Sequence, residues 1–96
     1  MNSTICNAIK NKQELVLTYH GYRRQVQPHA LGINDHEDEV LRCYQTKGGS
    51  ESSNQSGWKL LLIKEISFLS NLNVGFLTHP QYKRNDKSMK QVICEI

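Results

Sequence analysis

Arg24, Gln45 and Lys59 are the residues of this 96-residue chain whose types and positions carry the clearest chemistry. Each lies in a strand-like run and shares parity with apolar neighbours: Arg24 with Val26, Gln45 with Leu41 and Cys43, Lys59 with Leu61 and Ile63. Successive side chains of a strand alternate between faces, so this parity directs two cations and an amide toward the side where apolar residues gather. An unpaired charge in a partly enclosed space is costly. An anion, such as a phosphate or a nucleic-acid backbone, would supply the missing partner. The stretch "QTKGGSESSNQSGWK", residues 45–59, adds more. Lys47 sits at its base, Gly48-Gly49-Ser50 offers backbone amides for an anion-holding nest, and Trp58 offers a face on which a base can stack. The bland alternative is that these cations snorkel to water and that the Gly/Ser loop is slack. The candidate ligand-binding set is Arg24, Gln45, Lys47, Gly49, Ser50, Trp58 and Lys59.

The elements that must position this set follow from periodicity. Ser3 or Thr4 is a suitable helix N-cap, and Ile5, Ala8 and Ile9 at i, i+3, i+4 mark one apolar face of a short helix stopping near Asn11. "ELVLTYHGYRRQV" reads as two strands about a tight turn at His20-Gly21, the second running from Tyr22 to about Ile33. Pro28 within it implies an edge, a bulge or a bend. "NDHEDE" is an acidic surface loop, "VLRCYQT" a third strand and "WKLLLIKEI" a fourth, apolar enough for cover on both faces along part of its length. "SFLSNLNVGFLTHPQYKRND" has no clean period and is expected to be a short turn or helical piece and then a wrapping loop. "KQVICEI" closes the chain as a fifth strand. The expectation is a mainly β domain over residues 1–96: a small five-stranded antiparallel barrel with a short N-terminal helix. A meander of this kind gathers Arg24, Gln45 and Lys59 at one end, beside the His20-Gly21 turn. A one-residue slip in register would reverse a face and dissolve the cluster.

Composition removes several function classes. The formal charge of +3, from 12 basic and 9 acidic residues, permits an anionic partner but is far from that of a dedicated DNA-coating protein. A mean hydropathy of −0.58 and the lack of any long apolar run point to a cytoplasmic chain without a membrane span. Cys6, Cys43 and Cys94 are odd in number and widely spaced, so buried thiols are expected rather than a disulfide scaffold. No closely spaced Cys/His pair suggests zinc. No phosphate-binding loop, dinucleotide fingerprint or nucleophile elbow is present. No catalytic residue, metal or cofactor is therefore assigned.

The stretches "LTYHGYRRQVQPHALGI", "EVLRCYQT" and "GWKLLLIKEISFL" resemble the WYL domain family in its compact stand-alone form. The likeness covers Leu15 to Leu69, with Arg24–Val26–Pro28 and Gly57-Trp58-Lys59 its most specific parts. It implies an Sm-like, SH3-type barrel acting as a ligand-sensing or nucleic-acid-binding module in bacterial regulators, often in phage defence. The chain departs from that pattern. The naming Trp-Tyr-Leu triplet stands here as Glu39-Val40-Leu41, the arginines of the fourth strand are replaced at Leu62 and Glu65, and no helix-turn-helix accompanies the barrel. Arg24 matches the family's early arginine and Lys59 partly stands in for the others. The leading expectation is a non-enzymatic regulatory module binding a nucleotide or single-stranded nucleic acid. The rivals are a protein-interaction module, docking a partner or a second copy, and a small hydrolase or nuclease.

Overall fold

The computed structural model describes residues 1–51 and 56–96. Its elements are a helix α1 (Asn2–Asn11) and strands β1 (Gln13–Tyr19), β2 (Tyr22–Ile33), β3 (Glu39–Gly48), β4 (Gly57–Leu62), β5 (Ile66–Gly75) and β6 (Gln91–Glu95), with a 3-10 turn at Ile63–Glu65 between β4 and β5. They form one antiparallel β-sheet in the order β4-β3-β2-β1-β5, with β6 paired to β2 off that path.

The long strand β2 organises the sheet. Along one edge it pairs with β3; along the other its first half pairs with β1 and its second half with β6. The hairpin turn falls at His20-Gly21, where both residues take positive φ (52° and 79°), a backbone that glycine adopts at no steric cost. Of the edge, bulge or bend that Pro28 implied, the structure has a bulge. Pro28 pairs with Cys43 and Ala30 with Arg42, which leaves His29 as the extra residue.

Helix α1 is too short to persist alone and is held by docking. Ile5, Ala8 and Ile9 are buried against Leu15, Leu17, Val26, Leu31, Leu41 and Leu61. Burial of each large aliphatic side chain is worth about 1.5–3 kcal/mol. The helix begins at Asn2 after Met1, with no side-chain cap, rather than at Ser3 or Thr4. It ends at Lys12 in the left-handed region, where its N–H reaches Ala8 and Ile9 carbonyls.

Three expectations are corrected. The fourth strand stops at Leu62, because the chain turns through Ile63–Glu65 instead of running on, and Leu60 is exposed rather than covered. The aperiodic stretch after it contains a full strand, β5, which pairs with β1. "KQVICEI" is therefore a sixth strand, and no ladder joins β4 to β5. Cys6 and Cys94, expected as buried thiols, form a disulfide that ties α1 to β6 across 88 residues of sequence. Only Cys43 remains a buried thiol. Among the described residues no helix is long and apolar enough to cross a membrane.

Candidate functional site

Register places Arg24, Gln45 and Lys59 on one face, as parity predicts. Gln45 pairs with Val26, Arg24 with Gly48, and Lys59 with Cys43. Arg24 is 3% exposed and Gln45 fully buried. The Arg24 guanidinium donates from Nη2 to the Tyr19 carbonyl at 3.2 Å and from Nη1 to Gln45 Oε1 at 3.4 Å. It also lies over the rings of Tyr19 and Tyr22, at 5.1 and 5.7 Å from their centroids, a cation–π arrangement. Gln45 passes the chain of contacts onward, its Nε2 donating to the Gly49 carbonyl at 3.1 Å. Lys59 Nζ donates to Ser50 Oγ at 3.4 Å.

Two features set Arg24 apart from an ordinary structural arginine. Its Nε is buried and has no hydrogen-bond partner among the described residues. No carboxylate is ion-paired with it among those residues either. Buried charges are normally paired, and a buried unsatisfied donor costs about 1–3 kcal/mol. The nearby acids are engaged elsewhere. His20, stacked on Tyr19, contacts both Glu51 and Glu65. These two contacts, Glu65 first, raise the His20 pKa above its ordinary 6.5, and His20 in turn holds the Glu65 carboxyl below the usual carboxylate range.

The base of the Gly/Ser loop is tied down. The Gly49 N–H donates to the Arg23 carbonyl at 3.4 Å, and a Cβ on Gly49 would fall 2.3 Å from the Tyr22 ring. Gly49 thus lets Tyr22 close over the guanidinium. The centre of the loop, residues 52–55, lies outside the described residues, so the expectation of slack there stands apart from the structure.

Two members of the expected set sit elsewhere. Lys47 pairs with Gln25 across a register shift between Gln25 and Val26, so it is on the outward face and exposed. It shares a cavity of about 170 Å³ with Val16, Arg23, Arg24, Gln25 and Gly48. Trp58 pairs with Tyr44 and packs at 4.9 Å from His29 and 5.1 Å from His79, on the opposite side of the sheet from Arg24. It cannot stack a base bound at the Arg24 end.

That opposite side carries an aromatic cluster the sequence reading missed. His29 is fully buried among Trp58, Phe76 and Tyr82, and Tyr44 stacks on His79 at 4.3 Å. Its Nδ1 is 2.9 Å from the Gln27 carbonyl and its Nε2 accepts the His79 N–H at 3.0 Å. These contacts fix a neutral tautomer with the proton on Nδ1. Burial lowers the His29 pKa, and His79 lowers it further against the Gln27 bond. The available signal was Phe76, His79 and Tyr82 in the segment after β5, combined with the outward parity of Tyr44 and Trp58.

The remaining chemistry is limited. Cys43 is buried and burial pushes its thiol up to about 12, far from the thiolate an enzyme nucleophile needs. Among the described residues no group of three or more His, Cys, Asp or Glu side chains is placed to hold a metal ion. Compared with models of known protein families, with curated proteins and with solved structures, the chain shows no match in any of the three.

Proposed function

We propose that the chain is a small ligand-binding β module whose ligand is anionic, a nucleotide phosphate or the backbone of a single-stranded nucleic acid, held at the sheet end that carries Arg24, Gln45 and Lys59. The observation that carries this reading is the Arg24 guanidinium: buried, without a carboxylate, and with Nε unpartnered among the described residues. A ligand oxygen satisfies that donor, and Lys59, on the same face of the sheet and bonded to Ser50, adds a second cation. Arg23 and Lys47, lining the adjoining cavity, extend the positive surface along which a phosphate chain continues. Trp58 has no part in this site.

We further propose that the architecture follows the Sm-like or SH3-type barrel plan of WYL domains, although the sheet is open between β4 and β5. It is supported by the 3-10 turn, which carries the chain from β4 at one edge of the sheet directly into β5 at the other. A role in regulation follows from that resemblance. The cytoplasmic setting expected from the sequence would keep Cys6 and Cys94 reduced, whereas the structure pairs them; finding the bond intact in cells lysed under a thiol-blocking reagent would contradict that setting.

A labelled single-stranded oligonucleotide and a nucleoside monophosphate, titrated against the protein and followed by anisotropy and calorimetry, test the binding reading. Affinity should fall steeply with salt, since phosphate contacts release counterions. It should also fall at least about tenfold in Lys59→Ala. Binding indifferent to both, or absent, sinks the proposal. The interaction-module reading draws on a different observation: β5 lies at the edge of the sheet with Phe68 and Val74 exposed. Concentration-dependent self-association abolished by Phe68→Lys, with no anion binding, would favour it.

A further inference from the structure

A cavity of about 460 Å³ lies on the far side of the sheet from Arg24, between β4 and the loop of residues 76–90. Trp58 and Tyr82 line it, and Gln81, Lys83, Arg84 and Lys87 form its rim. The aromatic residues are braced. Trp58 rests on the edges of His29 and Tyr44, and its Nε1 donates to Gln81 Oε1 at 3.2 Å. The Tyr82 hydroxyl donates to Glu95 at 2.9 Å. The loop itself is anchored by the His79 N–H on His29 and by Arg42, which donates to Asp86 at 2.6 Å.

The charges around this cavity are unbalanced. Four cations line it, Arg42, Lys83, Arg84 and Lys87, against the single carboxylate of Asp86. Asp86 is committed to Arg42: burial works against its ionisation, but the bonds from Arg42 and Ser88 hold the carboxyl below its usual range. Glu95, just behind, is committed to Tyr82 and Arg84. Lys83 and Lys87 have no ion pair among the described residues. A concave site with an aromatic wall and two uncommitted ammonium groups suits a planar ring that carries a negative group.

We propose that this groove is a second binding site, separate from Arg24, which takes a nucleotide unit: the base against Trp58 and Tyr82, the phosphate between Lys83 and Lys87. The size supports a ligand of that class, since small-molecule sites usually occupy about 300–1,000 Å³. Stacking on an indole tolerates any base, so recognition here depends on the ring and the phosphate together rather than on base identity. The nucleotide unit comes either as a free nucleotide or as part of a single strand.

Trp58 is the only tryptophan of the chain, so its fluorescence reports on this groove alone. Thymidine monophosphate and a short oligothymidylate are titrated at low ionic strength, with inorganic phosphate as the control. Saturable quenching by one or both thymidine ligands is expected, while phosphate competes without quenching. Equal affinity for the two identifies a free nucleotide, and tighter binding of the oligomer identifies a strand. Lys83→Ala/Lys87→Ala, with both changes on exposed side chains, should weaken quenching at least about tenfold and leave the near-UV spectrum of the free protein unchanged. Arg24→Met should leave quenching intact, which keeps this proposal distinct from the one above. Absence of saturable quenching, or equal affinity in the double variant, overturns it.

Discussion

Arg24→Met separates an arginine kept for a ligand from one kept for the fold. Methionine retains most of the aliphatic stem, and what disappears is the charged head with its place over the Tyr19 and Tyr22 rings, worth about 0.5–2 kcal/mol. Two hydrogen bonds are lost, to the Tyr19 carbonyl at 3.2 Å and to Gln45 at 3.4 Å. Both are longer than the common 2.9–3.0 Å, so each falls near the low end of the roughly 1.5–3 kcal/mol of a charged bond. Against this, the substitution relieves a buried unsatisfied Nε, about 1–3 kcal/mol, and the desolvation of a guanidinium without a carboxylate, several kcal/mol in principle. The terms nearly cancel or favour methionine. Urea unfolding should show a stability within about 1 kcal/mol of the natural chain or above it, with an unchanged slope. At roughly 4–8 °C per kcal/mol for a domain of this size, the melting temperature falls by no more than about 8 °C. Leu41→Ala, in the same core, should by contrast cost about 2–5 kcal/mol. Anion binding at this end should drop at least about tenfold in Arg24→Met. A loss of more than about 3 kcal/mol of stability would refute the reasoning, because it would make Arg24 a structural keystone already satisfied by the protein.

Other consequences are independent of the ligand. The Cys6–Cys94 bond closes a loop of 88 residues, so its reduction should cost about 2–5 kcal/mol, read as a lower melting temperature in reductant. A thiol reagent should detect almost nothing in the native protein and one thiol, Cys43, after denaturation without reductant; rapid native labelling would contradict its burial. Gly48 has φ of 106° and a Cβ there would lie 2.1 Å from the Arg23 carbonyl, so Gly48→Ala should lose at least about 2 kcal/mol in thermal unfolding. The histidines should titrate on opposite sides of 6.5 in NMR: His29 below, lowered by burial, and His20 above, raised by Glu65 and Glu51. The sign for stability follows. The His29 contribution is present above pH 6.5 and declines as pH falls toward its depressed value, while the His20 contribution is present below pH 6.5 and is lost as pH rises through its elevated value.

Much of the fold was legible because the signals were local. The His20-Gly21 turn, the extent of β2 and the Ile5–Ala8–Ile9 face depend on a single glycine, a β-rich run and a helical spacing. Strand β5 was hidden because it lies at an edge with both faces half exposed: Phe68 and Val74 face water where an alternating pattern would place core residues. The break at Ile63–Glu65 was hidden for the converse reason, since "LLLIKEI" is as apolar as a buried strand while the chain turns within it. The Arg24–Gln45–Lys59 face came from parity, and the same parity requires Trp58, one residue before Lys59, to face away. Lys47 was lost to a bulge that no periodicity reveals. The Cys6–Cys94 pairing is set by how α1 docks beside β6, a contact between opposite ends of the chain that spacing cannot encode.

The central claim is that the buried Arg24 donor awaits a ligand oxygen. The most direct test follows the Arg24 Nε–H resonance by heteronuclear NMR while a nucleoside monophosphate is added, with Lys59→Ala as the comparison. The account predicts that this signal shifts saturably, becomes protected from exchange, and responds only weakly in the variant. A resonance already protected in the free protein and unmoved at saturating nucleotide would contradict it.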